Sequence, residues 1–316
     1  MSPTNVADKP LFRDPVFDGA TDPVVCWNRA EKQWVMFYTN RRANVEDAPG
    51  VTWVHGSEIG MAESPDGVSW KYRGTARIHY AEDREHTYWA PDVICHADVY
   101  HMYLTYVPGI FETWDHPRDI LHLTSQDMLD WEYQSTLNLS SGRTIDASVW
   151  PLPDGGWRLW YNNEEDRKSI YFADSPDLYH WTDRGKAVDD QQGEGPAVFA
   201  WQGRYWMITD VWDGLGVYQS DDLLTWIRQP GNLLQTPGKG PDDQGKGHHA
   251  SVVVSGDRAY LFYFTHPGRH QQMPGQSDAH AQRRSSIQVA ELEIHHGLLS
   301  CDRDRPVQIQ LLPPAD

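Results

Sequence analysis

One stretch decides the fold: Ser125-Gln126-Asp127-Met128-Leu129-Asp130-Trp131. Three further copies, at 64–70, 175–181 and 220–226, keep the serine, the aspartate two positions later and the closing tryptophan. Short polar side chains hydrogen-bond to their own backbone in turns, so each copy predicts a turn. A strand pattern precedes every copy, and we expect each closing tryptophan to begin the outermost strand of a sheet.

The spacing of these turns sets the size of a repeating unit. Neighbouring closing tryptophans stand 45–61 residues apart, which suits a four-stranded unit with loops of varying length. A second pattern gives the number of units, because five pairs of apolar, aromatic-rich strands each open on an ionisable residue. The openings are Thr21-Asp22-Pro23-Val24, Ala90-Pro91-Asp92-Val93, Ile145-Asp146-Ala147-Ser148-Val149, Gly193-Glu194-Gly195-Pro196 and Gly247-His248-His249-Ala250. We therefore predict an all-β protein, a five-bladed β-propeller whose single domain spans residues 1–316.

The fifth unit departs from the pattern of the other four. Its third strand is predicted at 286–292 and lacks the turn motif, as terminal repeats often do. Its fourth strand is expected either at 308–312 or from the N-terminus, which would then close the ring. The closing tryptophans Trp70, Trp131, Trp181 and Trp226 are expected to pack between blades.

The charge of the chain limits its partners. Lys and Arg number 27 against 45 Asp and Glu, which gives a net charge of −18. Nucleic acid and anionic membranes would be repelled at long range, so neither is an expected partner. A small neutral oligosaccharide is compatible with this charge. Fifteen Trp and fifteen Tyr suit both strands and the flat apolar faces of sugar rings.

Cysteine usage and the N-terminus bear on the compartment. Cys26, Cys95 and Cys301 lie far apart in no metal-ligand spacing, and we interpret them as free thiols. The first residues lack the basic start and apolar core of a signal peptide. No apolar run reaches membrane-spanning length. We therefore expect a cytoplasmic protein.

The five openings point to one site. In a propeller the innermost strands line a central channel, so Asp22, Asp92, Asp146, Glu194 and His249 are expected around one mouth. A single acid could simply cap a turn, but clustered carboxylates repel each other, and a structural ring would use Ser or Asn at lower cost. Paired carboxylates in an aromatic, sugar-sized pocket suit glycosidic hydrolysis: one donates a proton while another activates water or attacks carbon. A third acid can raise the donor's pKa.

These residues resemble the motifs of glycoside hydrolase family 43. The likeness runs through Asp22-Pro23, Trp89-Ala90-Pro91-Asp92-Val93, Ile145-Asp146, Glu194-Gly195-Pro196 and Gly247-His248-His249, in the same order along essentially the whole chain. That family comprises five-bladed propellers that act mainly as β-xylosidases, α-L-arabinofuranosidases and arabinanases, with inversion of configuration. The resemblance implies an exo-acting, inverting hydrolase of short pentose-containing oligosaccharides.

The resemblance also implies a role for each residue. Asp22 would be the general base, Glu194 the general acid, and Asp146 the residue that tunes the pKa and orientation of the acid. A calcium or other cation would lie at the channel axis, with His249 as its protein ligand and His248 as the alternative. Asp92 would bind a sugar hydroxyl or the water of the metal, and no organic cofactor is implied.

Further residues are expected at the substrate. Trp89 is the best candidate for stacking on a sugar ring, followed by Trp53, Trp114 and Trp212. Asn40 and Asn163 follow second strands and could reach the pocket or lie in solvated turns. Arg283 or Arg284 could bind substrate near the base, with a solvated pair as the alternative; of the two, Arg284 is the one expected at the substrate. Long loops at 44–58, 109–118 and 268–281 are expected around the mouth.

Two alternatives stay open. One is a related propeller glycosidase that acts on a galactofuranoside, a fructoside or an anhydro-galactose, and the other is a non-catalytic sugar-binding propeller. Arg13-Asp14-Pro15 superficially resembles a motif of the fructosidase families. In those enzymes the motif lies in a middle blade and the donor Glu precedes Cys, whereas Glu194 precedes Gly195. We therefore interpret Arg13-Asp14-Pro15 as a turn near the blade closure.

Overall fold

A computed structural model describes residues 5–269 and 279–314, and within them almost all regular structure is β-strand. Twenty-one strands form five sheets. The described helices are α1 (Ala279–Arg283) and a 3-10 turn (Thr52–Val54). Neither is long enough to cross a lipid bilayer.

The sheets form the five blades of a propeller, and the predicted fold is confirmed. Each blade is an antiparallel sheet whose strands run in chain order from the inside outward. Blade 1 contains β1 (Ala20–Asn28), β2 (Gln33–Asn40), β3 (Glu58–Ser64) and β4 (Lys71–Thr75). Blade 2 contains β6 (Thr87–His96), β7 (Val99–Val107), β8 (Asp119–Ser125) and β9 (Asp130–Thr136), with β5 (Arg77–His79) added parallel to β9.

The remaining three blades follow the same order. Blade 3 contains β10 (Thr144–Pro151), β11 (Trp157–Asn163), β12 (Ser169–Ser175) and β13 (Thr182–Val188). Blade 4 contains β14 (Glu194–Trp201), β15 (Arg204–Asp210), β16 (Leu215–Ser220) and β17 (Ile227–Arg228). Blade 5 contains β18 (His248–Ser255), β19 (Arg258–Thr265), β20 (Ser286–His295) and β21 (Leu298–Cys301).

The outer edge of blade 5 differs from the prediction. Its fourth strand is β21, which pairs with β20, so neither 308–312 nor the N-terminus supplies that strand. Both chain ends nevertheless cover this blade. Val6 pairs with Gln308 and Phe12 pairs with Ile287 in isolated bridges. The ring is therefore closed by contacts between the two ends of the chain.

The repeated turns have a common geometry. The serine Oγ accepts the N–H of the residue three positions on, at 2.8 Å for Gly67 and 2.9 Å for Met128 and Leu223. That third residue has a positive φ in all four copies. In three copies the closing tryptophan donates its Nε1–H back to the turn, at 3.0–3.1 Å. The Nε1 of Trp226 is buried and has no partner among the described residues.

The closing tryptophans pack between blades, as predicted. Each lies edge-on to an aromatic ring in the second strand of the preceding blade, with ring centroids 5.5–6.5 Å apart. The pairs are Trp70 with Phe262, Trp131 with Phe37, Trp181 with Tyr103 and Trp226 with Trp160. Such pairs contribute about 0.5–1.5 kcal/mol beyond the area they bury. The apolar clusters likewise lie at the interfaces of neighbouring blades, and Cys26 and Cys95 pack there as free thiols.

Every first strand contains a bulge at its inner end. The register shifts between Thr21 and Val24 in blade 1 and at the matching place in the other four blades. The first bulged residues are Asp22, Ala90, Asp146, Gly195 and His249, and the first four of them have φ between 44° and 60°. A left-handed residue at a bulge redirects its side chain out of the strand's alternation. In blades 1, 3 and 5 the bulge residue, Asp22, Asp146 or His249, lines the central cavity.

Candidate active site

A cavity of about 480 Å³ opens where the inner ends of the five blades meet. This volume lies within the range of small-ligand sites. Residues of all five blades line it: Asp22, Arg41, Trp53, Val54, Trp89, Trp114, Arg118, Arg143, Ile145, Asp146, Glu164, Lys168, Glu194, Asp210, Trp212, His248, His249, Phe264, His266 and Arg269. Among the predicted site residues, the structure brings together Asp22, Asp146, Glu194, Trp89, Trp212, His248 and His249.

Asp22 lies on the blade-1 side of the cavity, at the bulge of β1. Its carboxylate is 5% exposed. Thr21 donates its hydroxyl to Oδ2 at 2.9 Å, and Arg41 places Nη2 3.4 Å from the same oxygen. Both oxygens of Asp22 thus have neighbours that fix the orientation of the carboxyl group, with Thr21 and Arg41 at Oδ2 and His249 Nδ1 3.6 Å from Oδ1.

Asp146 lies at the equivalent bulge of β10 and is also buried. Its Oδ2 accepts the backbone N–H of Gly195 at 3.0 Å. Burial raises the pKa of Asp146 to about 7, and the carboxylates of Glu194 and Asp22 act in the same direction, while His249 opposes them. A carboxyl group with this pKa exchanges its proton near neutral pH, which suits a residue that modulates an acid.

His249 lies between these two carboxylates. Its Nδ1 is 3.6 Å from Asp22 Oδ1 and 3.8 Å from Asp146 Oδ2. Burial opposes the charge of the imidazole, but Asp146 and Asp22 prevail and raise the pKa of His249. The ring packs against Gly195, where a Cβ would stand 2.6 Å from His249 Cγ. Only glycine therefore fits after Glu194.

Glu194 lies one residue before the bulge of β14, at the cavity wall. Both of its carboxylate oxygens accept hydrogen bonds. Trp212 donates Nε1–H to Oε1 at 3.2 Å, and Lys168 donates Nζ–H to Oε2 at 3.1 Å. The side chain is 24% exposed, so the group can reach a bound substrate.

Four tryptophans form an aromatic wall around the carboxylates. Trp53 and Trp89 are nearly buried, and Trp89 donates Nε1–H to the carbonyl of Val54 at 2.7 Å. Trp114 and Trp212 are 49% and 39% exposed at the rim. Exposed rings at the edge of a polar cavity are suited to stacking on a sugar.

Asp92 is a predicted substrate residue that the structure places elsewhere. It stands two positions beyond the first bulged residue of its strand and does not line the cavity. Its Oδ2 accepts the N–H of Val149 at 2.7 Å, as Ser148 Oγ accepts the N–H of Val198 at 3.1 Å in the next pair of blades. Asp92 therefore joins blade 2 to blade 3, and burial raises its pKa to about 6.

Asn40 and Arg284 also lie away from the cavity. Asn40 donates its amide to Asp14 Oδ2 at 3.1 Å. Arg284 donates Nη2–H to Asp242 Oδ1 at 2.8 Å. Neither side chain lines the cavity, so the structure does not support their predicted contact with substrate. Asp14 itself caps the predicted turn by accepting the N–H groups of the residues two and three positions on, which confirms that turn.

The predicted long loops do contribute to the mouth. The 44–58 segment supplies Trp53 and Val54, and the 109–118 segment supplies Trp114 and Arg118. Arg269 comes from the 268–281 segment, of which residues 270–278 lie outside the described part of the chain.

Several cavity residues were missed by the sequence patterns, and Asp210 is the most connected of them. Its Oδ2 accepts His248 Nδ1–H and the backbone N–H of His249, both at 3.1 Å, and its Oδ1 accepts the N–H of Trp212 at 2.8 Å. Burial opposes its charge, but His248 and these backbone donors hold the pKa of Asp210 below its usual value. Its place at the end of a second strand is the signal that could have found it.

The end of the second strand recurs as a contact to the next blade. Thr39 Oγ1 accepts the N–H of Ala90 at 2.7 Å, and Thr105 Oγ1 accepts the N–H of Asp146 at 3.0 Å. Asp210 does the same for His249. These bonds hold three of the five bulge residues from the neighbouring blade.

The axial residues do not form a convergent metal-binding group. Calcium takes about six to eight oxygen ligands. Among the residues that the structure describes, no three His, Cys, Asp or Glu side chains converge as metal ligands. His249 turns its Nδ1 to two carboxylates and His248 gives its Nδ1 to Asp210. The axial cation implied by the resemblance, held by one histidine and otherwise by water, stays a prediction.

Comparisons with known proteins identify the fold. No protein-family model matches the chain, and no curated protein matches it by sequence. Solved structures do match. The chain is similar to a family-43 β-1,3-galactosidase with galactodeoxynojirimycin, at 16% identity and a TM-score of 0.62 over 90% of this chain and 93% of that one. It is similar to a β-xylosidase at 14% identity, with a TM-score of 0.66 over 92% and 96%.

A third similar structure is an exo-1,5-α-L-arabinanase from a bovine ruminal metagenomic library. It shares 16% identity, with a TM-score of 0.64 over 92% of this chain and 99% of that one. At these identities the likeness establishes the five-bladed fold.

Proposed function

We propose that this protein is a glycoside hydrolase that cleaves O-glycosidic bonds of small oligosaccharides. One observation carries the proposal: Asp22, Asp146 and Glu194 meet in a single cavity with tryptophan walls. Its fold is shared with solved enzymes described as a xylosidase, an arabinanase and a galactosidase. A sugar-binding module does not require carboxyl groups in different environments, whereas hydrolysis requires one carboxyl group as proton donor and another as base.

The proposed mechanism gives each acid a separate step. Asp22, beside Arg41, takes a proton from the water that attacks the anomeric carbon. Glu194 gives its proton to the leaving oxygen, so the bond between that oxygen and the sugar breaks without forming an alkoxide. Asp146 and the charge on His249 set the electrostatic field between base and acid. The water enters opposite the leaving group, so the product has inverted configuration.

We propose an exo-acting enzyme on pentose-containing chains, of the α-L-arabinofuranosidase or β-xylosidase type. The arabinanase and xylosidase among the similar structures support this choice. The loops that carry Trp53 and Trp114 contribute to the cavity wall, and an exo-acting enzyme would use such loops to limit binding to the end of a chain.

The test is a panel of nitrophenyl glycosides, furanosides and pyranosides, assayed with the wild type and with Glu194→Gln. The wild type should hydrolyse an arabinofuranoside or a xyloside, and the variant should lose about 10²–10⁴-fold in kcat/KM, the usual contribution of a general acid. Proton NMR of the first-formed sugar should show the inverted anomer. If the variant works at the wild-type rate, Glu194 is not the acid.

A second candidate is a propeller glycosidase that acts on another sugar. The similar structure of a β-1,3-galactosidase favours galactosides, and the same panel separates them from galactofuranosides, fructosides and anhydro-galactosides. If the wild type hydrolyses none of these, yet binds sugars by calorimetry, the protein is a non-catalytic sugar-binding propeller.

A further inference from the structure

We infer that Lys168 is the positioning residue of the general acid, holding the Glu194 carboxyl group while Glu164 holds Lys168. The inference rests on the proposed function, since it gives Glu194 the role of acid. The observation behind it is a continuous row of charges from blade 2 to blade 4, made by Arg118, Glu164, Lys168 and Glu194. The sequence motifs give no sign of the two middle members.

Lys168 holds Glu194 through both its backbone and its side chain. It stands just before β12, in a left-handed conformation with φ 52°. Its carbonyl accepts the N–H of Gly193 at 3.1 Å, which fixes the chain directly before Glu194. Its ammonium donates to Glu194 Oε2 at 3.1 Å. One residue of blade 3 therefore sets both the start of β14 and the direction of its first side chain.

Trp212 also helps to hold the Glu194 carboxyl group in place. Its indole donates to Glu194 Oε1 at 3.2 Å, while the Lys168 Nζ lies 5.1 Å from the centroid of the same ring. The ammonium and the indole thus contact each other as well as the carboxyl group. With one donor on each oxygen, the carboxyl group has little freedom to rotate.

Glu164 keeps Lys168 in place. It accepts from Lys168 Nζ at 2.8 Å through Oε1, and its Oε2 lies 3.0 Å from Arg118 Nε. The Glu164 side chain is 6% exposed, and Arg118 is 2% exposed. Buried ion pairs with partners on both sides have a fixed geometry, because each charge depends on its neighbours. The buried pair of Glu164 and Arg118 therefore orients the Lys168 side chain.

This geometry suits a proton donor in two ways. The acid must present its proton in line with the leaving oxygen, and a small displacement is costly to the rate. As the proton leaves, Glu194 becomes a carboxylate, and the ammonium of Lys168 stabilises the charge that develops there. Lys168 keeps its own protons throughout, so the only proton transferred is that of Glu194.

The test uses substrates with the same sugar and different leaving groups. A 2,4-dinitrophenolate leaves without protonation, whereas an alkyl or sugar alcohol needs the acid. Lys168→Met should lower kcat/KM about 10–100-fold for the alkyl glycoside, and less than about threefold for the dinitrophenyl glycoside. Glu194→Gln should give the same pattern more strongly, and Glu164→Gln more weakly.

A matched control is available on the same blade. Lys186 also bridges two carboxylates, Asp166 at 2.7 Å and Asp189 at 3.2 Å, and lies 6.0 Å from the ring centroid of Tyr171. It does not line the cavity. Lys186→Met should leave kcat/KM unchanged for both substrates. Equal losses on both leaving groups in Lys168→Met would overturn the positioning role, and so would no loss at all.

A crystal structure of Lys168→Met separates this inference from the proposed function. The Glu194 carboxyl group should leave its position beside Trp212 Nε1, whether or not any glycoside is hydrolysed. An unmoved Glu194 overturns the inference even if the wild type is an active glycosidase. A wild type without activity on the whole panel counts against the proposed function, while a displaced Glu194 would still support Lys168 as the residue that holds it.

Discussion

The outer turns and the inner bulges both recur from blade to blade, but the turns repeat backbone and side chains, whereas the bulges repeat only the backbone. At the outer turns the backbone and the side chains recur together: a serine oxygen accepts from a left-handed residue, and a tryptophan packs on the preceding blade. At the inner bulges the backbone recurs, while the side chain changes from carboxylate to methyl, hydrogen and imidazole.

This difference separates stability from chemistry within one repeat. In each of the four blades that contain it, the outer turn packs its tryptophan against the preceding blade. Because this role does not change, the same residues recur. The inner bulge only supplies a direction, and the bulge residues that reach the cavity are two aspartates, Asp22 and Asp146, and one histidine, His249. A propeller can therefore change its reaction at the bulges without disturbing the contacts that hold the ring together.

The largest expected contrast is between Asp22→Asn at a bulge and Ser125→Ala at an outer turn. Asp22→Asn should lower kcat/KM by about 10²–10⁴-fold, and it should also lower thermal stability because it removes a buried charge beside Arg41 and His249. Ser125→Ala removes the acceptor of the Met128 N–H and should lower the free energy of unfolding by about 1 kcal/mol without affecting kcat/KM. Steady-state kinetics and denaturant unfolding of both variants measure this contrast. If Ser125→Ala loses activity as well, the outer turns do not act on stability alone.

Asp92→Asn tests a residue near the bulge that we assign to stability. The folded pKa of about 6 lies above the ordinary value of an aspartate, so the wild type loses stability as the pH rises from about 4 to about 6. The asparagine does not titrate and can still accept the Val149 N–H. Relative to wild type it should gain up to about 3 kcal/mol between pH 4 and pH 7.5.

Urea unfolding at the two pH values measures this gain. Ser148→Ala is the control, because Ser148 makes the equivalent bond without a charge, and its effect should not depend on pH. A tenfold rise in KM for Asp92→Asn would instead restore the substrate role expected from sequence.

Trp131→Phe and Trp226→Phe compare two copies of the outer turn. Both tryptophans pack on an aromatic ring of the preceding blade. Trp131 also donates to the Met128 carbonyl at 3.1 Å, whereas the Nε1 of Trp226 has no partner within the described residues. Trp131→Phe should therefore cost about 1 kcal/mol more in the free energy of unfolding. Equal costs in chemical denaturation would show that the indole hydrogen bond adds nothing.

The smallest effect is expected from metal removal. Because the charge on His249 already lies between Asp22 and Asp146, dialysis against EDTA should change kcat/KM less than twofold. Added calcium should likewise have no effect on the rate. A loss of activity that calcium restores would support the axial cation implied by the family resemblance.

The blade count and much of the cavity could be predicted from the sequence because both depend on local patterns. A Ser-x-Asp turn with a closing tryptophan is decided within seven residues, and an ionisable residue at a strand start is visible directly. The β21 strand had a local signal too: His296 and Gly297 both have positive φ and form a two-residue hairpin turn.

Other residues could not be placed in this way. The placement of Asp92 outside the cavity lining was not visible in the sequence, because a bulge changes which positions of a strand face the channel and alternation alone does not reveal it. Lys168 and Asp210 acquire their roles from blades that neighbour their own, through Glu194 and His248. Contacts of this kind depend on how blades dock, which no local pattern encodes.

The contact between the N-terminal segment and blade 5, which we call the seam, gives this fold an order of assembly. Val6 pairs with Gln308 and Phe12 with Ile287, so this segment must wait for residues 302 and 275 positions further along the chain. Domains emerge from the ribosome N-terminal end first. Asp22 and His249 stand on opposite sides of this seam, and their carboxylate and imidazole can meet only when the final strands have docked. A chain without blade 5 would therefore have Asp22 but lack the imidazole of His249 beside it.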